Sequence, residues 1–313
     1  MISFISPTYK EWPRIAFTIN GIINNMAKVD GQHDTATDEY EIIVVADGGV
    51  HSEFRRLMGS NHMKAHNVKL IERPRGAVPR SAALARDIGA EEAEGETLWF
   101  IDGHILFTPA SVPTTLELLD KANVVHLPCS WGGINPDRCY HYKLTLEKNF
   151  WGENTPYLKS KEPYEIPAFS HHVMVISRDD FWRVGGYNRN FHGYGGEEFY
   201  FDFKCWMMGL NVMMNTYGHL THVYGVHQYT GTNWDLRRNL LLGAHVLGGD
   251  EWAQKILDWN RENEPENIYE EWVSASEDAK RHAEEERVWL EENRVKTLDE
   301  VLEFFRENEI PMR

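Results

Sequence analysis

The chain has 313 residues, 42% of them hydrophobic, with 48 acidic against 32 basic side chains and a formal net charge of −16. That is room for one large domain or a domain plus an extension, and the acidity, concentrated in the last 64 residues, argues against non-specific nucleic-acid binding by that tail. No run of 18 apolar residues occurs and the opening Met1-Ile2-Ser3-Phe4 has no basic leader, so neither a transmembrane helix nor a signal peptide is expected; three cysteines without metal-like spacing fit a reduced, cytoplasmic compartment.

In chain order, Ile2 to Ser6 reads as a short buried strand ended by Pro7-Thr8, and residues 11–27 have helical spacing. Gly31 to Asp38 reads as a polar loop. Glu41 to Ala46 is a second buried strand closed by Asp47-Gly48-Gly49, and Asn67 to Glu72 a third. The Ala-rich stretch 80–94 predicts a helix, 96–101 a fourth strand and Asn123 to Leu127 a fifth. Continuous apolar strands alternating with helices predict a mostly parallel sheet covered on both faces. Residues 129–170 are dense in Trp, Tyr, Gly and Pro and read as a loop-rich substrate region. Residues 171–177 resume as a strand, 197–209 as a helix and 211–216 as extended chain. The tail from about 250 is helical and carries −11 of the net charge. In it Thr297-Leu298-Asp299-Glu300 forms a capping box. Leu298, Val301, Leu302 and Phe305 follow as an apolar stripe that must dock on the main domain or on a partner.

The most informative local pattern is Trp99-Phe100-Ile101 running into Asp102-Gly103-His104. A carboxylate and an imidazole two residues apart share one face of a strand. They stand at the carboxyl edge where open α/β sheets bind ligands. Such a pair can grip one divalent cation, and a carboxylate oxygen with imidazole suits Mn²⁺ better than Ca²⁺.

Five blocks in sequence then carry a resemblance. They are Phe4-Ile5-Ser6-Pro7-Thr8-Tyr9-Lys10-Glu11, Ile43-Val44-Val45-Ala46-Asp47-Gly48-Gly49, Ala82 to Ala90 with its Ala-Arg-x-x-Gly-Ala pattern, Asp102-Gly103-His104, and Gly185-Gly186-Tyr187 followed by Gly193-Tyr194-Gly195-Gly196-Glu197-Glu198. In this order they resemble a nucleotide-sugar glycosyltransferase of the GT-A fold, of the kind found in family 2 glycosyltransferases and the catalytic domain of polypeptide N-acetylgalactosaminyltransferases. The resemblance covers about residues 2–225. Lys10 stands where the pattern has Asn, Gly103 where it has Ser or Ala, and no lectin-like repeat follows.

The resemblance implies an α/β, Rossmann-like GT-A domain over 1–245, with a nucleotide-sugar-binding half (1–128) and an acceptor-binding half (129–245), and an acidic helical extension over 246–313. It implies a UDP-sugar donor and Mn²⁺ or Mg²⁺. Asp102 and His104 would ligate the metal, with His222 as third ligand and His219 and His227 as neighbouring alternatives. Asp47 would accept a hydrogen bond from the nucleoside, Thr8 with Pro7 would shape the base pocket, and Arg86 would face the diphosphate. Glu198 would act as general base in an inverting reaction and Glu197 would contact sugar or acceptor; a retaining reaction stays open. Trp131, Trp151, Tyr194 and Trp234 are candidates for stacking, and His172 for a core or hydrogen-bonded role.

The acceptor is open among a protein hydroxyl, a glycan and a hydroxymethylated base of phage-type DNA. The DNA option rests on the run Arg55, Arg56, Lys64, Lys69, Arg73, Arg75, Arg80 and Arg86. Two other readings are a nucleotidyltransferase of the same fold and an inactive scaffold that binds a partner, or another copy of itself, through its helical tail.

Overall fold

The structure, a computed structural model, describes residues 1–29, 39–74, 80–131, 139–145, 151–156, 162–170, 172–223 and 232–307. The expected polar loop at 31–38, together with Arg75, His171 and His227, lies outside them. The first strands are buried along their whole length: β1 (Ile2–Thr8) and β2 (Tyr40–Asp47), separated by α1 (Arg14–Val29). Two short helices, α2 (Ser52–Met58) and α3 (Asn61–Ala65), lead to β3 (Val68–Arg73). Helix α4 (Ala82–Glu91) is started by Ser81, whose hydroxyl accepts the Leu84 N–H. The Gly89 of its motif is a packing requirement, because a Cβ there would sit 2.3 Å from the Ile5 side chain.

Strands β4 (Thr97–Ile101) and β5 (Ile105–Phe107), helix α5 (Ser111–Leu119) and β6 (Val124–His126) complete the first half. The loop-rich region contains strands, β7 (Cys129–Trp131), β8 (Cys139–Thr145), β9 (Trp151–Pro156) and β10 (Tyr164–Glu165). Then come β11 (Val173–Ser177), α6 (Arg178–Arg183), α7 (Glu197–Met207), β12 (Val212–Met214) and β13 (Leu220–His222). Helices α8 (Asn233–Asn263), α9 (Glu266–Asn293) and α10 (Leu298–Glu307) end the described chain.

The main sheet has eight strands in the order β10-β12-β6-β11-β4-β1-β2-β3. β3, β2, β1 and β4 are parallel, as the sequence predicts, whereas β11 lies antiparallel between β4 and β6. Alternation along each strand divides the core in two. Ile5, Val45, Phe100 and Met174 face α4 and the helices from α6 onward, while Phe4, Val44, Trp99 and Val175 face the side of α1 and α5. A second sheet, β5-β13-β7-β8-β9, lies beyond the carboxyl edge of β4.

The boundary expected at 245/246 falls inside α8, close to the break at Gly249 (φ 68°, ψ −161°). The predicted capping box forms: Thr297 and Glu300 exchange side-chain and backbone hydrogen bonds. All four stripe residues are buried against the main domain, with Phe305 edge-on to Trp206 of α7 at 5.1 Å. No helix among the described residues is long and apolar enough to cross a membrane.

Candidate active site

The site forms where β4 ends. The Asp102 N–H donates to the His172 carbonyl at the start of β11, which fixes the carboxylate at the sheet edge. Gly103-His104 is a turn into β5, so Asp102 and His104 meet across a turn and not by alternation along a strand as the spacing alone implied. Strand β5 pairs antiparallel with β13, with Ile105 opposite His222. That register brings His222 Nε2 to 2.9 Å from His104 Nε2 and 3.8 Å from Asp102 Oδ2. Asp102, His104 and His222 offer one oxygen and two nitrogens, all within 4.8 Å of one another. Of the alternatives for the third position, His219 stands outside this group, its backbone carbonyl taken by Thr108 and Ser111.

The surroundings suit ligation by a divalent ion. His172 Nδ1 lies 3.2 Å from Asp102 Oδ2 and Glu11 Oε2 lies 3.3 Å from His104 Nδ1, so Asp102 and His104 are steadied from behind. Burial raises the Asp102 pKa, but bonds from His172 and His222 outweigh it and hold the carboxyl well below the usual range. Burial pulls His222 down to about 4 against the hydrogen bond to Asp102, leaving a neutral imidazole near neutral pH. Gly103 fits beside Glu11: a Cβ would meet the Glu11 Cγ at 3.2 Å, so the Gly that departs from the pattern makes room for this carboxylate. Glu11 belongs to the first motif, and the small residue inside the Asp102-Gly103-His104 triplet is the sequence signal for its place here.

A second carboxylate centre lies at the start of α7. Arg86 of α4 is buried between three acids, with Nη1 3.3 Å from Glu197 and Nη2 3.7 Å from both Asp102 and Glu198. It thus bridges the two centres instead of lining open space. Glu197 accepts the Gly195 N–H at 2.7 Å, and Glu198 Oε2 accepts the Ser170 hydroxyl at 3.2 Å. Glu198 Oε1 is buried with no hydrogen-bond partner among the described residues. Burial and the charges of Glu197 and Asp102 push the Glu198 pKa well up, against the pull of Arg86. Glu197 is also raised, by burial.

Beside the triad, a cavity of about 500 Å³ is lined by Thr8, Tyr9, Lys10, Glu11, Trp12 and Arg80 among others. Arg80 lies 4.5 Å over the Tyr9 ring and Lys10 5.0 Å from its centroid, giving this wall a positive face. Asp47 sits just behind it, buried, with its oxygens on Arg73 Nη1 (2.8 Å) and the Ser81 N–H (2.9 Å). Trp234 packs against the core, while the side chains of Trp131 and Trp151 lie outside the described set. The basic run is largely neutralised within the fold: Arg55 pairs with Glu72, Lys69 with Glu41 and Glu94, Arg73 with Asp47, and Arg86 with its three acids.

A mixed sheet flanked by helices, with the Asp102, His104 and His222 cluster at the carboxyl edge of a central strand, is the arrangement of a GT-A glycosyltransferase fold. The model of the family described as glycosyl transferase family 2 matches residues 3–185, and the chain belongs to that family. A second model, the N-terminal domain of galactosyltransferase, matches residues 157–228. The chain is 28% identical over 163 residues to N-acetylgalactosaminyltransferase 6 of Drosophila melanogaster, covering 47% of this chain and 24% of that protein. It is 25% identical over 243 residues to polypeptide N-acetylgalactosaminyltransferase 3 of the same organism, covering 69% and 35%. It thus spans about a quarter to a third of these relatives. Among solved structures, GalNAc-T7 with UDP, GalNAc and Mn²⁺ superposes with a TM-score of 0.70 at 18% identity, over all of this chain and 58% of the other. TarS of S. aureus superposes at 0.58 and 14%, over 92% and 50%.

Proposed function

We propose that the protein is a metal-dependent glycosyltransferase that moves a sugar from a UDP-sugar to an acceptor hydroxyl. The observation that carries this reading is the Asp102, His104 and His222 cluster beside a cavity walled by Lys10 and Arg80. The relatives' activities as N-acetylgalactosaminyltransferases, and the UDP, UDP-GlcNAc and Mn²⁺ bound in the superposing structures, support UDP, Mn²⁺ and an N-acetylhexosamine as first candidates. Asp102, His104 and His222 would hold the metal, which when bound would neutralise charge on the departing diphosphate.

The remaining roles follow from the chain's own groups. Thr8 and Tyr9 line the cavity that would take the nucleoside. Asp47 would contact the nucleoside while its carboxylate holds Arg73 and the start of α4 in place. Glu198, with one buried oxygen that faces Arg86 at 3.7 Å but takes part in no hydrogen bond among the described residues, and with a raised pKa, would accept the acceptor's proton. Glu197, aligned by the Gly195 N–H, would contact sugar or acceptor. Arg86 would couple these acids to Asp102, and so reach the diphosphate through the metal ligand. Residues 1–128 would form the donor half, 129–245 the acceptor half and 246–313 a support.

The test is product analysis by mass spectrometry after offering UDP-GalNAc and UDP-GlcNAc with Mn²⁺ to Ser/Thr peptides, oligosaccharides and hydroxymethylated DNA. The expected result is UDP release with a hexosaminyl adduct on one acceptor class. Absence of UDP release from every donor, with Mn²⁺ or Mg²⁺, contradicts the reading.

A further inference from the structure

We propose that Asn239 of α8 is a positioning residue that holds the acceptor-side loop 190–196 in its working shape. The inference rests on the reading of Glu197 and Glu198 given above, and it adds a role for the C-terminal helices that the motifs do not contain. The loop is built from residues that are costly to order. Gly193, Gly195 and Gly196 have φ of 59°, 106° and 90°, in the left-handed region. Gly193 is held by a bridge to the chain before α4, its N–H on the Arg80 carbonyl and its carbonyl on the Ala82 N–H, and α8 holds the loop on either side of it.

Asn239 is fully buried. Its Nδ2 donates to the His192 carbonyl at 2.6 Å and to the Gly195 carbonyl at 2.9 Å, and its Oδ1 accepts the His192 N–H at 3.0 Å. Both donors of the amide and its oxygen are therefore spent on the loop. Gly196 lies flat on the same turn of α8, where a Cβ would meet Asn239 and Leu240 at 3.3 Å. The preceding residue, Arg238, is also buried; its Nη1 donates to the Asn190 carbonyl and its Nε to Asp278 of α9, each at 2.5 Å. The order passes on, since the Gly195 N–H fixes the Glu197 carboxylate and Glu197 pairs with Arg86. A chain of contacts thus runs from α9 through α8 and the loop to the acids at the start of α7.

Asn239→Asp tests this with almost no change of shape, because a carboxylate cannot donate to either carbonyl. Amide hydrogen exchange and UDP-sugar turnover to water in Mn²⁺ are measured on the full chain. The expected result is loss of protection confined to the amides of 192–196. Turnover should fall at least about tenfold with donor KM and UDP affinity kept within about twofold, since displacement of reacting groups by an ångström is that costly. If Asn239→Asp does not fold, Arg238→Lys, which cannot span Asn190 and Asp278 together, should show the same pattern more weakly. Unchanged protection of the loop overturns the proposal, as does a parallel fall in donor affinity. If the wild type turns over no UDP-sugar, the functional reading fails and exchange alone decides the clasp.

Discussion

Two carboxylate centres share one guanidinium, and their acidities move in opposite directions. Asp102 faces Arg86 on one side and imidazoles on the other, and its pKa is held well below the usual range despite burial. Glu198 faces the same Arg86, but its other neighbours are a hydroxyl and a second carboxylate, and burial drives it up. Burial alone does not set the acidity of a buried acid; the hydrogen bonds and charges that remain decide it. The first centre is suited to a cation and the second to a proton.

The largest expected way to break this contrast is Glu198→Gln. If Glu198 is the base, kcat should fall by about 10²–10⁴-fold with donor affinity unchanged; a loss under about tenfold removes that role. Next is the shared cation. Arg86→Met leaves three acids without it and should cost about 3–5 kcal/mol in urea denaturation, the penalty for breaking a buried ion pair. A smaller effect is expected where the tail docks. Leu302→Ala should cost about 2–5 kcal/mol by cavity formation, and a loss near zero would mean that α10 does not brace α7. Thr297→Ala should cost about 1 kcal/mol through the lost cap.

A pH-dependent effect concerns another buried acid. Asp87 accepts the Tyr187 N–H and is pushed by burial to about 7, with Lys204 and Arg189 opposing and Glu91 reinforcing. A carboxyl raised in the folded state favours the protonated form. Its contribution to stability is present below the ordinary value and is lost as pH rises through about 7. The wild-type Tm should therefore drop relative to that of Asp87→Asn between about pH 5 and about pH 8. Parallel curves would show that Asp87 stays ionised throughout.

The donor side was largely legible in the sequence because its groups sit at the ends of continuous apolar strands. Asp47 ends β2, Asp102 follows β4, and the Ala-Arg-x-x-Gly-Ala helix packs where Gly89 allows. The acceptor side was not, because long-range contacts build it. The first half of α8 was missed since Leu240, Leu241, Leu242, Ala244 and Val246 are buried on all sides and leave no stripe to detect. Asn239 within that run had no motif to mark it. In the second sheet β5, β7 and β13 have three residues each, too few for a period of two to show, and the alternation of Tyr140, Tyr142 and Leu144 along β8 is a signal that the sequence reading passed over. Arg86 was found by motif but expected at the ligand; its burial among Asp102, Glu197 and Glu198 depends on acids far along the chain.

In the proposed reaction Asp102, His104 and His222 hold one divalent ion against a nucleoside diphosphate. Calorimetric titration of UDP in the presence and absence of Mn²⁺, on the wild type and on Asp102→Asn, tests it most directly. The account predicts Mn²⁺-dependent UDP binding in the wild type, abolished by Asp102→Asn and strongly weakened by His104→Ala. Equal UDP binding with and without Mn²⁺, or by the wild type and Asp102→Asn, would contradict it.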